Sequence, residues 1–285
     1  MKDTLLTDKN KADIVTAIKK NDLKNIITIL EKYKTGHAGT AKTKDKRFVV
    51  KEFVNFIESN SKDPAKDFFI NGNALCNLNE PAAKEIGVSL IWRGYKHSSA
   101  KVKKQLLKIA DDPNWEVREY AGNAFAAVLK ENNELHSQML QWTKHRSENV
   151  RRAVVFSAIG LRNEIDIKKA FAIFQPLMYD KSRYVKKNLG PFILGCYFGN
   201  AFPHEVIKQL EKWSKIKDEH FRWNIIMSFN NSFGNKYPDE ALDVISLFLN
   251  DDKKTVERAV KSTLNHLSKR HKSKVTDFKK KHNLI

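Results

Sequence analysis

The sequence predicts an all-α protein, a solenoid of helical hairpins, on three observations. A segment recurs about every 35 residues through the second half of the chain. The stretches between its copies carry apolar residues three and four apart, the helical spacing. Only seven prolines and eleven glycines interrupt 285 residues, which suits helices joined by short turns. A fixed period of this size marks a repeat array whose units bury their faces against their neighbours.

The five copies read DDPNWEVREYAGNAFAAVL, RSENVRRAVVFSAIGL, DKSRYVKKNLGPFILGCYF, KDEHFRWNIIMSFNNSF and NDDKKTVERAVKSTLNHL. Their apolar anchors, Val117, Val150, Val185, Phe221 and Val256, are spaced by 33, 35, 36 and 35 residues. The intervening helices are expected at HSQMLQWTKH, DIKKAFAIFQPLM, HEVIKQLEKWSK and PDEALDVISLFLN, so each repeat is a hairpin with the recurrent segment second. Pro203, Asp218 and Pro238 (the last followed by Asp239 and Glu240) read as helix starts.

The first 79 residues are less regular. Helices are expected across 10–20, 23–34, 45–60 and 63–70, and beyond this part across 80–94 and 98–110. TGHAGTAKTKDKRF, residues 35–48, is polar and basic and reads as an exposed, mobile loop. The expected organisation is one domain over 1–285, with recognisable repeats in 80–270. The basic residues 271–285 form either a capping helix or a tail.

A net charge of +19 implies a polyanionic partner, nucleic acid before an anionic membrane or an acidic protein. Cys76 and Cys196 sit in no Cys-x-x-Cys or Cys/His spacing, so neither a disulfide framework nor a zinc site is expected, and a cytoplasmic location is. MKDTLLTDKNKADIV lacks the apolar core of a signal peptide, and no segment approaches the roughly 20 apolar residues of a membrane span. The histidines form no ligand pair, GHAGT is no phosphate loop, and no GxSxG elbow occurs. No metal and no cofactor are expected.

After each anchor stands Arg118, Arg151, Lys186, Arg222 or Glu257. A cation near a helix N-terminus opposes the helix dipole by a few tenths to about 1 kcal/mol. Two readings remain open: a structural ladder paired to turn acids such as Asp112 and Asp180, or phosphate contact. The following position holds Glu119, Arg152, Lys187, Trp223 and Arg258, turned about 100° around the helix and mixed in charge and aromaticity as a site would be. Trp115 and Glu119 are four apart and share a helix face. An aromatic beside a carboxylate can receive a planar cation; the alternative is a core tryptophan beside a solvated acid.

On DDPNWEVREYAGNAF, ENVRRAVVFSAIG and SRYVKKNLGPFILG the chain resembles the HEAT-like DNA alkylation repair superfamily, the AlkC- and AlkD-type alkylpurine DNA glycosylases. The resemblance spans roughly 80–270. It implies a right-handed α-superhelix of HEAT-like repeats cradling double-stranded DNA on a basic concave face, acting as a monomer near the nucleoid. It also implies hydrolysis of the N-glycosidic bond of N3- or N7-alkylated purines. Trp115 and Glu119 match the family's catalytic aromatic and carboxylate, with Glu where AlkD-type members carry Asp, and Arg152 matches the arginine of the next repeat. The DNA contacts are then Arg118, Arg151, Lys186, Lys187, Arg222, Trp223 and Arg258. Where the family has a second cleft tryptophan this chain has Pro191, with Phe192 beside it. Two other functions fit the same charge: a catalytically silent binder of damaged, bent or branched DNA, and a scaffold for an acidic protein.

Overall fold

The computed structural model describes residues 4–284, and its regular elements are helices. They fall into two compact units, residues 1–135 and 136–285. The first holds α1 (Asp8–Lys19), α2 (Leu23–Glu31), α3 (Thr43–Asn60), α4 (Pro64–Cys76), α5 (Pro81–Ile91, continued by a 3-10 turn to Gly94), α6 (Ser99–Ala110) and α7 (Trp115–Glu131). The helix α8 (Leu135–Trp142) starts at the boundary. The second unit continues with α9 (Glu148–Ser157), α10 (Ile167–Leu177), α11 (Arg183–Asn188), α12 (Pro203–Trp213), α13 (Glu219–Met227), α14 (Ser232–Lys236), α15 (Pro238–Ser246), α16 (Lys254–Ser268) and α17 (Lys272–Lys281). This is the all-α helical-repeat class that the 35-residue period predicts.

The repeat is a capping motif joined to a buried anchor. Asn114, Ser147, Ser182 and Asp218 each stand three residues before an anchor, and each side chain accepts a backbone N–H of the first turn. This satisfies donors that a helix start leaves orphaned. The anchor, one turn in, is then aimed inward: Val117, Val150, Val185, Phe221 and Val256 are all fully buried. Lys253 holds the cap position of the fifth copy and supplies no side-chain cap. A sixth copy starts at α5, where Ala83 is a fully buried anchor followed by Lys84. Alanine is too weak an apolar signal to be counted from the sequence alone.

In the first unit, α1, α2, α3 and α5 share a core that includes Ile14, Ile26, Leu30, Val49, Phe53, Ile86 and Leu90. Residues 35–42 are a tight turn rather than a mobile loop. Lys34 and Ala41 form an antiparallel bridge, Thr35 N–H donates to Thr40 O at 3.0 Å, and Thr40 and Ala41 are buried. The polar composition is misleading because Asn114 Nδ2 reaches Ala38 O at 2.8 Å and ties the turn to the start of α7. Residues 43–48 are already helical. Residues 272–281 likewise form a helix, with Val275 and Phe278 buried; Ile285 lies outside the described residues.

In the second unit α11 runs into a π-helical segment, Leu189–Gly199. Pro191 has no N–H to donate one turn back, so the regular ladder is broken there and the backbone widens. The segment packs very closely on α13 and α14: a Cβ at Gly195 would lie 2.1 Å from Ser228 O. Gly195→Ala is therefore expected to destabilise the protein by about 1–3 kcal/mol, measured by urea unfolding, because backbone rather than a yielding side chain must move.

Candidate functional site

In the first unit α3, α5 and α7 enclose an open cavity of about 780 Å³. Positions 43, 46, 47, 50, 51 and 54 of α3 line it, one face of that helix, and α7 contributes Trp115, Glu116, Glu119 and Tyr120. Trp115 is 39% exposed although large and aromatic. His37, from the tight turn, meets its ring edge-on with centroids 5.0 Å apart. The indole is thus braced from one side and open to the cavity. Glu119, one turn further along α7, is half-buried in the same lining.

Under this wall lies a buried charge cluster that spacing does not reveal. Lys46 is only 1% exposed. Its ammonium pairs with Glu85 of α5, donates to Glu116 Oε1 at 2.8 Å, and stands 5.2 Å from the Tyr120 ring centroid. Thr40 donates its hydroxyl to Glu85 Oε2 at 3.0 Å, while Glu85 Oε1 is buried without a hydrogen-bond partner. Two carboxylates share one ammonium in a poorly solvated place. Burial outweighs the pull of Lys46 and pushes the Glu85 carboxyl up to about 7. The Tyr120 hydroxyl is also pushed up, by burial first and then by Glu85 and Glu116. Lys46 has one available signal in the sequence: it continues the apolar stripe of Val49, Phe53 and Ile57 on α3. Glu85 has another, since it stands two after its anchor as Glu119 does.

The ladder residues are engaged by their own turns. Arg118 Nη1 donates to Asp112 O at 2.7 Å and Pro113 O at 2.9 Å. Arg151 donates to the carbonyls of His145 and Arg146 and to Asp180, with Nε–Oδ2 at 2.5 Å. Arg222 pairs with Asp251 at 2.6 Å, and Lys84 of the sixth copy with Asp112 at 2.7 Å. Lys186 is buried, with Nζ 3.1 Å from His220 Nδ1 and 4.8 Å from the Trp223 ring centroid; burial pulls its ammonium below the usual lysine range. Of the following positions, Lys187 and Arg258 are exposed and Trp223 half-buried.

Arg152, in the second unit, is 6% exposed. Its guanidinium lies between two rings, 4.6 Å from the Phe156 centroid and 4.8 Å from that of Tyr184. Such stacking keeps a cation planar and oriented. Lys187 adds a contact to Tyr184 at 5.5 Å. Phe192, beside Pro191, is 47% exposed, and its ring lies 6.1 Å from that of Phe156. The structure therefore brings Trp115 and Glu119 together in the first unit, and Arg152 with an aromatic group in the second.

Among the described residues no helix is long and apolar enough to cross a membrane, and no three acidic, histidine or cysteine side chains gather as metal ligands.

Fold and site define a helical-repeat protein with an aromatic–carboxylate cavity and a strongly basic composition. The family of DNA alkylation repair enzymes matches residues 41–193 and 191–284, and the chain belongs to that family. Membership supports a role in DNA repair, with DNA as substrate or partner. No curated protein matches the sequence. Among solved structures, the Escherichia coli protein YibA is similar at 16% identity, covering 92% of this chain and 99% of its own, with a TM-score of 0.34. A designed armadillo repeat protein is similar at 17% identity, covering 75% and 98%, with a TM-score of 0.27. An engineered protein from a structural genomics consortium is similar at 11% identity, covering 93% and 100%, with a TM-score of 0.30.

Removing the shared ammonium should be costly. Lys46→Met is expected to lose about 3–5 kcal/mol in chemical denaturation, because Glu85 and Glu116 are left facing each other without a counterion. Glu85 also carries a pH signature. An ordinary glutamate releases its proton near 4.5, whereas the fold retains it to about 7. Between those values the native state binds more protons than the unfolded chain, so this group's contribution falls as pH rises. Unfolding across that window should show wild type losing stability relative to Glu85→Gln as pH rises.

Proposed function

We propose that the protein is a DNA glycosylase that releases N3- or N7-alkylated purines from double-stranded DNA, with Trp115 and Glu119 at the reacting centre. The observation that carries this reading is their shared cavity: a braced, 39% exposed indole and a carboxylate one turn away, among basic side chains. Family membership and the +19 charge support DNA as the substrate.

The chemistry follows from the substrate's charge. Alkylation at N3 or N7 makes the purine a cation. When the C1′–N bond breaks, its electron pair stays with the purine, which leaves neutral, and the sugar becomes an oxocarbenium ion. The negative Glu119 carboxylate stabilises that developing charge, as carboxylates do in glycoside hydrolysis. Fixed charge of this kind is typically worth several kcal/mol. Water then adds at C1′ and gives up its proton, with Glu119 or solvent as acceptor, leaving an abasic site. Trp115 offers its ring face to the cationic base before cleavage. The proposed role of Arg152 is to hold a backbone phosphate with its ring-stacked guanidinium. Lys187 and Arg258 add exposed cations for the duplex. Arg118, Arg151, Lys186 and Arg222 belong to the same proposed contact set through their potential more than through direct reach, because their turns and neighbours already engage them. The anchor period from Ala83 to Val256 supports reading 80–270 as the recognisable repeats.

A second reading, a silent binder of damaged or distorted DNA, is favoured by Pro191, since a proline offers no aromatic wall at the position the family resemblance marks. Release of methylated purines from methylated duplex DNA separates the two. The glycosylase reading predicts release by wild type, loss of at least about a hundredfold in Glu119→Gln, and retained DNA affinity in that variant. Tight binding with no release by wild type would leave the silent binder. Equal release by both proteins would remove Glu119 from the chemistry.

A further inference from the structure

The cavity has a basic side that the repeat pattern does not contain. Arg47 and Lys51 stand four apart on α3, so they share one helix face, and both are exposed. Neither forms an ion pair or side-chain hydrogen bond with the other described residues, in contrast to Arg151 and Arg222, which meet Asp180 and Asp251. Two like charges on adjacent turns of one helix repel each other. Arg93 lines the same cavity from the end of α5. It is half-buried, its guanidinium 4.5 Å from the Trp92 ring centroid and 5.8 Å from that of Phe68, and it donates to Ser89 O. Burial lowers the affinity of Arg93 for its proton, the mark of an under-solvated cation. The position of Arg47 and Lys51 is fixed from below by Lys46, the buried neighbour of Arg47, through its pairing with Glu85 and Glu116.

We propose that Arg47 and Lys51, with the ring-stacked Arg93, form a phosphodiester-binding wall that holds the DNA backbone next to the base cavity of Trp115 and Glu119. This rests on the DNA reading above and deepens it. It assigns to the N-terminal α3, outside the recognisable repeats, the contacts that place the strand. Base and backbone then meet different helices of one cavity: the cationic base the acidic, aromatic start of α7, and its flanking phosphates the basic face of α3. Phosphate contacts position a duplex without reading its sequence, which suits an enzyme that must find lesions anywhere.

The test is the salt dependence of binding to undamaged duplex DNA, from about 50 to about 200 mM salt, a range over which lost phosphate contacts change the slope measurably. Each phosphate contact contributes about 0.9 to the slope of log K against log salt. Arg47→Ala/Lys51→Ala should lower the slope by about 2 and weaken binding at least about tenfold at the low-salt end. Both side chains are exposed, so this variant should keep the wild-type melting temperature. Lys9→Ala/Lys20→Ala removes the same charge from the exposed surface at the two ends of α1 and should keep the wild-type slope. An unchanged slope in the α3 variant, or an equal loss in the α1 variant, would overturn the phosphate wall while leaving the proposed function standing. Wild-type protein without salt-dependent duplex binding would overturn both.

Discussion

The site of the first unit depends on one buried ammonium. Lys46 joins α3 to Glu85 on α5 and to Glu116 at the start of α7, and Tyr120 closes over it. An isolated charge could not be held there, because removing it from water would cost more than the fold's margin of stability. Its two carboxylate partners make it tolerable and at the same time fix three helices to one another. The helix α7 enters this arrangement with its first turn, the turn that carries Trp115, and Glu119 follows one turn later. The tight turn at 35–42 is fixed in the same way, through Thr40 on Glu85 and His37 on Trp115. The orientation of the Trp115–Glu119 wall is therefore inherited from a polar cluster rather than from apolar packing alone.

The basic residues divide their work. In the repeats, Arg118 folds back on turn carbonyls, Lys84, Arg151 and Arg222 cross to a turn acid, and Lys186 meets His220 and Trp223, so much of the positive charge serves to join one repeat to the next. Such cations still raise the potential that draws in a polyanion. The side chains left exposed are others, Lys187 and Arg258 in the second unit and Arg47 and Lys51 in the first, and these are the ones proposed above for direct contact with DNA. Net charge alone does not separate these groups; burial and hydrogen-bond partners do.

The helices were legible because their signals are local. The period of the anchors gave the hairpins, and Asp218, Pro203 and Pro238 stand at the helix starts their chemistry favours. Ala83 hid the sixth copy because alanine does not stand out as an anchor. The turn at 35–42 was misread as mobile because its restraints, Asn114 to Ala38 and Thr40 to Glu85, come from residues far away in sequence. The pairing of Trp115 with Glu119 follows from helical spacing. Lys46 and Glu116 lie 70 positions apart, and no local pattern relates them. Arg152 was legible as a candidate and Phe156 stands one turn after it on α9, but the Tyr184 ring follows from how α9 and α11 pack.

The central claim is that the α3–α7 cavity stabilises positive charge on a sugar. The most direct measurement is the affinity for duplex DNA carrying a cationic azasugar abasic mimic, compared with the neutral tetrahydrofuran mimic of the same shape. An enzyme complementary to the oxocarbenium ion binds its mimic more tightly than an uncharged isostere. The account predicts a clear preference for the cationic mimic in wild type, and loss of that preference in Glu119→Gln. Equal affinity for the two mimics in wild type, or a preference that survives the substitution, would contradict it.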